Sequence, residues 1–417
     1  MDDTRSGAAP KPLRDTVAAD GGAAYGRLPF GVYLLGFSLF AMGSSEFLLA
    51  GVLPEVAADL RVDLPSAGFL ITAFALGVVV GGPPFALLSL RWPRRTALAV
   101  TQAVFAVSLI VGLLGDYRVL LVARVVMGVA YAGFFAIASV TAIGLVTPDR
   151  NARASGVVVS GLSVAMVAGG PAGTLLSHFT QWRGGFLAVA ALTAVGVIAC
   201  ALGLPATARA GTGTAPAAAP SVRRELVAMR RPALWGIYAI TILTTAAYMI
   251  TYNYLAAMLT TVTEIPQVWI PAILALFGVG AFAGLSAGGR VSDRRPHAAL
   301  VTGAVAIAVL SLVIAATIRQ PAVLVPAVLL LGAAAFFLNP AQYARVFAIA
   351  ADAPTLAGAT TVSAFQLGIS ITPALAAGTL THGAALTSVC VIGAALAALT
   401  VPLILLDRRP VGSATVS

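Results

Sequence analysis

The chain has 417 residues, 59% hydrophobic and only 10% charged, with a mean hydropathy of +0.97 and a formal net charge of +10. Soluble globular domains carry about 25% charged residues, so the composition excludes a soluble domain and marks an integral membrane protein. Segments of alternating polarity about ten residues long are absent, which excludes a transmembrane β-barrel.

Residues 1–28 are rich in Ala, Gly, Pro and Asp, carry mixed charge and contain no apolar core, so they read as a disordered cytoplasmic tail and not as a cleavable signal peptide. Twelve apolar runs follow, at about 30–53, 67–89, 96–115, 119–146, 154–177, 185–205, 233–258, 269–289, 298–318, 322–347, 357–380 and 384–406. Each supplies the ~20 residues that a spanning helix needs. The expected fold is therefore all-α, with twelve transmembrane helices. Of the 25 basic residues, twenty fall in the tails and even-numbered connections, four in the opposite connections, and one, Arg124, inside the fourth run. That bias places both termini in the cytoplasm of a multi-pass protein of the cell membrane, and it explains the basicity without a nucleic-acid partner.

The first run carries Glu46 beyond its middle, inside Gly43-Ser44-Ser45-Glu46. An acid at membrane depth costs several kcal/mol unless it faces a bundle interior or a wet cavity, so it is a functional candidate by default. Tyr33, Phe37 and Phe40 share a helical stripe with Ser44 and Phe47, a spacing that suits a pocket lining or simple packing. The fourth run opens with Leu120-Leu-Val-Ala-Arg124-Val-Val-Met-Gly128, so the chain carries one intra-span cation, Arg124, and one clear intra-span acid, Glu46. A guanidinium stays charged, whereas a buried carboxyl can exchange protons near neutrality. Substrate and proton could then exclude each other at Glu46, which is the thermodynamic requirement for exchange.

The fifth run contains Ala168-Gly169-Gly170-Pro171-Ala172-Gly173, which provides a bend and close helix approach, a candidate hinge or seal. Residues 206–232 read as a flexible cytoplasmic linker ending in basic residues. In the eighth run Gly280, Gly284 and Gly288 recur every four residues, as expected of a packing face. Tyr248, Tyr252, Asn253, Asn339, Gln342 and Gln366 are polar or aromatic groups at membrane depth, suited to a mostly apolar substrate cavity or to bonds between helices. Cys200 and Cys390 lie in apolar runs without CxxC spacing, so neither a disulfide framework nor a metal site is expected. Residues 407–417 form a second cytoplasmic tail.

A shift of 203 residues lays Ser89 on Ser292, Arg91 on Arg294, Pro93 on Pro296, Phe30 on Ala233 and Asp149 on Asp352. One offset aligning landmarks this far apart implies an internal repeat, with residues 29–205 and 233–406 as two pseudo-symmetric six-helix halves.

These residues resemble the major facilitator superfamily, in particular its twelve-span drug/proton antiporters. The connection after the second run is similar to the signature Gly-x-Leu-Ala-Asp-Arg-x-Gly-Arg-Arg, keeping Arg91, Arg94 and Arg95 but having Ala86, Leu90 and Pro93 at the Gly, Asp and Gly positions. The second copy keeps Gly289, Asp293 and Arg294. The resemblance implies a gating role for these loops, with Asp293 the stronger latch candidate. It also implies proton coupling at Arg124 and an antiporter hinge at Gly169, Gly170, Pro171 and Gly173. A narrower similarity to actinobacterial chloramphenicol efflux proteins is carried by residues 45–51, Arg91-Trp92-Pro93-Arg94, Trp182-Arg183, Ser292-Asp293-Arg294-Arg295-Pro296 and Ala353-Pro354-Thr355.

The expected function is proton-coupled efflux of small amphipathic drugs of the chloramphenicol type, with export of a sugar, metabolite or self-made natural product as the alternative. A membrane enzyme or sensor is the remote reading, since HExxH, P-loop and histidine-cluster motifs are absent. The expected partners are a small-molecule substrate, protons and the lipid bilayer. No cofactor or metal is expected, and the carrier is expected to be a monomer.

Overall fold

The computed structural model of the protein describes residues 28–88, 93–147, 150–204, 227, 229–350 and 354–407. Hydrocarbon offers no water to an open backbone, so a spanning chain must satisfy its amides internally. The described residues accordingly form helices and no strand. They are α1 (Phe30–Asp59), α2 (Leu64–Leu88), α3 (Arg94–Leu114), α4 (Tyr117–Gly144), α5 (Asn151–Val164), a π-helical turn (Ala165–Gly169) and α6 (Gly170–Gly203). The second series is α7 (Pro232–Asn253), α8 (Leu255–Thr261), α9 (Ile270–Ser292), α10 (Pro296–Thr317), α11 (Pro321–Phe337), α12 (Asn339–Ile349), α13 (Pro354–Leu380) and α14 (Ser388–Leu406). Short polar caps start two of them: the Asp63 carboxylate accepts from Ser66 N at 3.0 Å, and that of Asp116 from Val119 N at 2.9 Å.

Eleven stretches of described residues are long and apolar enough to cross a membrane. One of them, Arg153–Gly203, has 51 residues. It would be about 75 Å long if straight, more than twice the ~30 Å hydrocarbon thickness. The chain instead reverses at Gln181 (φ 64, ψ 164). Gly185 comes so close to Gly173 that a Cβ added there would lie 2.7 Å from the Gly173 carbonyl oxygen. That stretch is two passes, and the described residues make twelve in all. The sixth pass thus begins at the Gln181 break and not at residue 185, because the reversal takes a single residue instead of a loop.

Among the described residues, three passes are broken along their length. The fifth carries the π turn just before Gly170-Pro171, where proline supplies no N–H and the ladder reorganises. The tenth breaks at Leu338, two residues before Pro340, and the seventh at Tyr254 (φ −104, ψ 4).

The two halves pair their helices in the same way. In the first, α1 packs on α5 and α6, α2 on α4, and α3 on α4 and α6. In the second, α7 packs on α13 and α14, α9 on α11, and α10 on α11 and α14. Between halves, α2 lies along α13, while the fifth pass meets α9. Gly280, Gly284 and Gly288 admit the α11 backbone, since added Cβ atoms would lie 1.9, 2.0 and 2.2 Å from the carbonyl oxygens of Leu329, Ala333 and Phe337. The same device joins α2 to α4, where a Cβ on Gly128 would lie 2.1 Å from Phe74 O.

We call the end of the bundle at Leu28 and Asp407 the terminal face and the opposite end the far face. Toward the far face the halves are in contact. Thr72 donates to Ser370 O at 2.7 Å, Gly68 is covered by Tyr254 and Pro373, and Gly51 by Leu274. The N-terminal tail except Leu28, the C-terminal tail from residue 408, Arg91, Asp149, Asp352 and residues 205–226 of the expected linker region lie outside the described residues.

Candidate functional site

α1 runs through the interior, buried on nearly all sides. Glu46 lies about 24 Å along it from Phe30 at 1.5 Å per residue. Its Oε1 is buried and has no hydrogen-bond partner. The Gln366 side chain, from α13, faces this carboxyl, and the Arg124 guanidinium acts on it through space.

Arg124 does not pair directly with Glu46. It is 2% exposed, and its NH1 donates to Ser45 Oγ at 2.9 Å and its Nε to Leu70 O at 3.2 Å. Its Cζ sits 4.7 Å from the Phe74 ring centroid. The side chain is thus held inside the first half and does not snorkel to a surface. Its NH2 has no hydrogen-bond partner.

The field of the Glu46 carboxylate reaches three buried tyrosines, Tyr131 on α4 and Tyr248 and Tyr252 on α7. Tyr343 on α12 couples to Tyr131 and Tyr248. Ring contacts extend this group. Tyr131 meets Phe74 at 5.6 Å, Tyr248 meets Phe336 at 5.9 Å, and Tyr343 meets Phe365 at 5.6 Å. Tyr252 lies 4.5 Å from Phe277 and edge-on to Phe47 at 6.4 Å, a contact between halves. The result is a carboxyl with one unsatisfied oxygen in an aromatic wall drawn from both halves. Such a site can take a proton or a donor group of a ligand, and its rings can hold an apolar or aromatic moiety.

The other candidates are placed as follows. Asn253 donates to Thr372 Oγ1 at 3.0 Å and Gln342 to Thr244 Oγ1 at 2.9 Å, so both bond neighbouring helices. Asn339 is half-buried at the start of α12. Phe37 and Phe40 touch each other at 6.2 Å, and Phe40 also lines the gap closed by Gly169. Tyr33 is 44% exposed in the first turn of α1, away from Glu46. Gly169 lies against Ser44, Gly170 against Phe47 and Gly173 against Leu48, while Val167 of the π turn meets Gly278 of α9. The Gly-Gly-Pro segment therefore lies between the Glu46 helix and the second half. Arg94 NH1 donates to Val140 O at 3.5 Å near the end of α4, Arg95 is half-buried, and Asp293 and Arg294 are exposed without an ion pair among the described residues.

Sequence reasoning missed Ser45, Tyr131 and Tyr343 as parts of this site. Ser45 adjoins Glu46 and had a signal, a polar residue in the same cluster; the two tyrosines sit in ordinary apolar runs. Elsewhere, Trp182 and Arg183 both donate to Asp59 Oδ2, at 3.1 and 2.5 Å, fastening the reversal at Gln181 to the end of α1. Arg345 pairs with Asp407 at the terminal face. No cluster of three or more His, Cys, Asp or Glu side chains able to hold a metal occurs among the described residues.

The family model of the Major Facilitator Superfamily matches residues 35–373. A chloramphenicol resistance protein of Streptomyces lividans is 39% identical over 357 residues, covering 85% of this chain and 90% of its own. The inner membrane transport protein YdhP of Escherichia coli K12 is 30% identical over 384 residues, covering 92% and 97%. Among solved structures, a bacterial homolog of the human lysosomal transporter Spinster, inward-facing and unoccupied, gives a TM-score of 0.71 at 17% identity, covering 91% of this chain and 95% of that one. A point mutant of the nucleoside transporter NupG gives 0.72 at 14% identity, covering 91% and 99%.

Proposed function

This chain belongs to the major facilitator superfamily, and on that premise we propose that it exports small amphipathic molecules of the chloramphenicol type in exchange for protons, by rocking of its two halves about Glu46. The observation that carries this reading is the unpartnered Glu46 oxygen between the halves, ringed by tyrosines of both. A carrier exchanges two ligands when they compete for one group that only one can occupy at a time. One carboxyl serves that purpose if the proton neutralises it and the drug displaces the proton. Arg124, tied to Ser45 and Leu70, keeps a fixed positive charge nearby without consuming the carboxyl in an ion pair.

The substrate assignment draws on the 39% identity to the Streptomyces lividans protein. The arginine distribution supports a cytoplasmic assignment for the terminal face, and with it for both termini, which makes the far face the outer one. On that assignment the structure is closed outward. Asp293 and Arg294 are proposed to latch the second half on the cytoplasmic side, and Arg94, docked on α4, its counterpart in the first. The carrier works as a monomer, residues 29–205 and 233–406 being its moving halves.

The test is accumulation of labelled chloramphenicol in a hypersensitive host expressing the protein, with and without a protonophore. Accumulation is expected to fall on expression and to recover with the protonophore. Unchanged accumulation despite membrane expression would overturn the substrate assignment, and a fall that survives the protonophore would overturn proton coupling.

A further inference from the structure

Besides Glu46 Oε1, two buried donor atoms in reach of this carboxyl's field lack a partner, Arg124 NH2 of the same half and the phenolic Oη of Tyr252 of the other. Glu46 Oε1 is an acceptor and Tyr252 Oη a donor, and these two come from opposite halves. Tyr252 is 1% exposed, and the contact of its ring with Phe47 sets it against the stretch of α1 that carries Glu46, whose field reaches it. Its face packs on Phe277 of its own half, so the ring is fixed while the hydroxyl is left over. An unmade hydrogen bond at a buried group is costly, and a complementary donor and acceptor left over on opposite halves of one site are a pair that another state of that site can join.

We propose that Tyr252 is the lock of the unloaded carrier: its hydroxyl donates to the Glu46 carboxylate when neither proton nor substrate is bound, pinning the two halves against reorientation. This rests on the proton-coupled reading above. Protonation turns the carboxylate into a neutral acid and weakens the bond; a substrate donor takes its place. In either case the phenol keeps its own proton and the halves are released. An exchanger needs such a device, because a carrier that reorients empty lets protons in without moving substrate out.

Arg124 cannot serve as this lock, since Ser45 and Leu70 hold it within the same half as Glu46. The other charged or titratable groups that reach Glu46 are Tyr131 on α4 and Tyr248 on α7, and Gln366 on α13 adds a neutral amide. Unlike Tyr252 Oη, neither Tyr131 nor Tyr248 leaves a buried orphan hydroxyl.

The experiment is Y252F in proteoliposomes carrying an inward proton gradient, with an internal pH dye and no drug. A hydrogen bond to a charged group biases an equilibrium by about tenfold or more, so the drug-free proton influx is expected to rise about tenfold over wild type. The double variant E46Q/Y252F is expected to lose that leak, which a merely loosened bundle would not. A wild-type leak rate in well-folded Y252F, or a leak that persists with E46Q, overturns the lock. If Y252F does not reach the membrane, infrared difference spectra of the wild type decide. A tyrosine C–O band that shifts together with carboxyl protonation and vanishes in E46Q supports the lock, and its absence overturns it. If wild-type vesicles show no drug-driven proton movement at all, it is the coupled-exchange reading that fails.

Discussion

Ser45→Ala isolates the placement of Arg124. The Ser45 hydroxyl is fully buried and accepts from Arg124 NH1 at 2.9 Å, while NH2 already lacks a hydrogen-bond partner. Removing the hydroxyl leaves only the Leu70 carbonyl and the Phe74 ring to hold the cation. Hydrogen bonds to charged groups are worth ~1.5–3 kcal/mol in soluble proteins, whereas bonds between helices in membrane bundles average ~0.6 and reach ~1.7. For a buried guanidinium the upper part of the membrane range applies, about 1.5 kcal/mol, or tenfold. The carboxyl in whose field the freed group lies is that of Glu46. A direct ion pair there would keep Glu46 charged and compete with both proton and drug. Drug uptake into inverted vesicles is therefore expected to slow by about tenfold in S45A. In an R124Q background the same substitution is expected to add nothing, since the partner is gone. An equal loss in both backgrounds, or no loss in the wild-type background, would refute the argument.

Two further substitutions probe the frame around the site. Gly284→Val places a side chain where a Cβ alone already lies 2.0 Å from Ala333 O, so α9 and α11 must separate. The expected cost is about 1–3 kcal/mol, seen as a lower melting temperature of the purified protein, with transport lost as α9 carries Phe277 away from Tyr252. Gly68→Leu fills the space under Tyr254 and Pro373, where a Cβ would lie 2.6 and 3.1 Å from their atoms. It is expected to wedge the far face open, read as longer distances between spin labels on the ends of α2 and α8, with unchanged distances contradicting the gate.

The helices and their doubling were legible because each leaves a local mark: runs of apolar residues, arginines on one side, and a common offset of 203 residues. The offset holds closely in three dimensions, with α5 beginning at Asn151 and α13 at Pro354. Gly169-Gly170-Pro171 pointed to a bend with close helix approach; the structure has a π turn there, packed against Ser44 and Phe47. The reversal at Gln181 was less legible, because a one-residue break without proline or glycine leaves no mark of its own. The same holds for the break at Tyr254. Glu46 and Arg124 stood out as rare charges, but that a serine separates them is a matter of register between α1 and α4, which spacing along one helix does not carry. Tyr131 and Tyr343 were missed for the same reason. Tyr33, Phe37 and Phe40 form a stripe, yet α1 is enclosed on nearly every side, so a stripe on it selects no face.

The central claim is that drug and proton exclude each other at Glu46. It is tested most directly by adding chloramphenicol to the purified protein in weakly buffered solution near neutral pH and recording proton release, for the wild type and for E46Q. The account predicts release by the wild type that saturates with drug binding, and none by E46Q. Drug binding without release, or equal release from both, would contradict it.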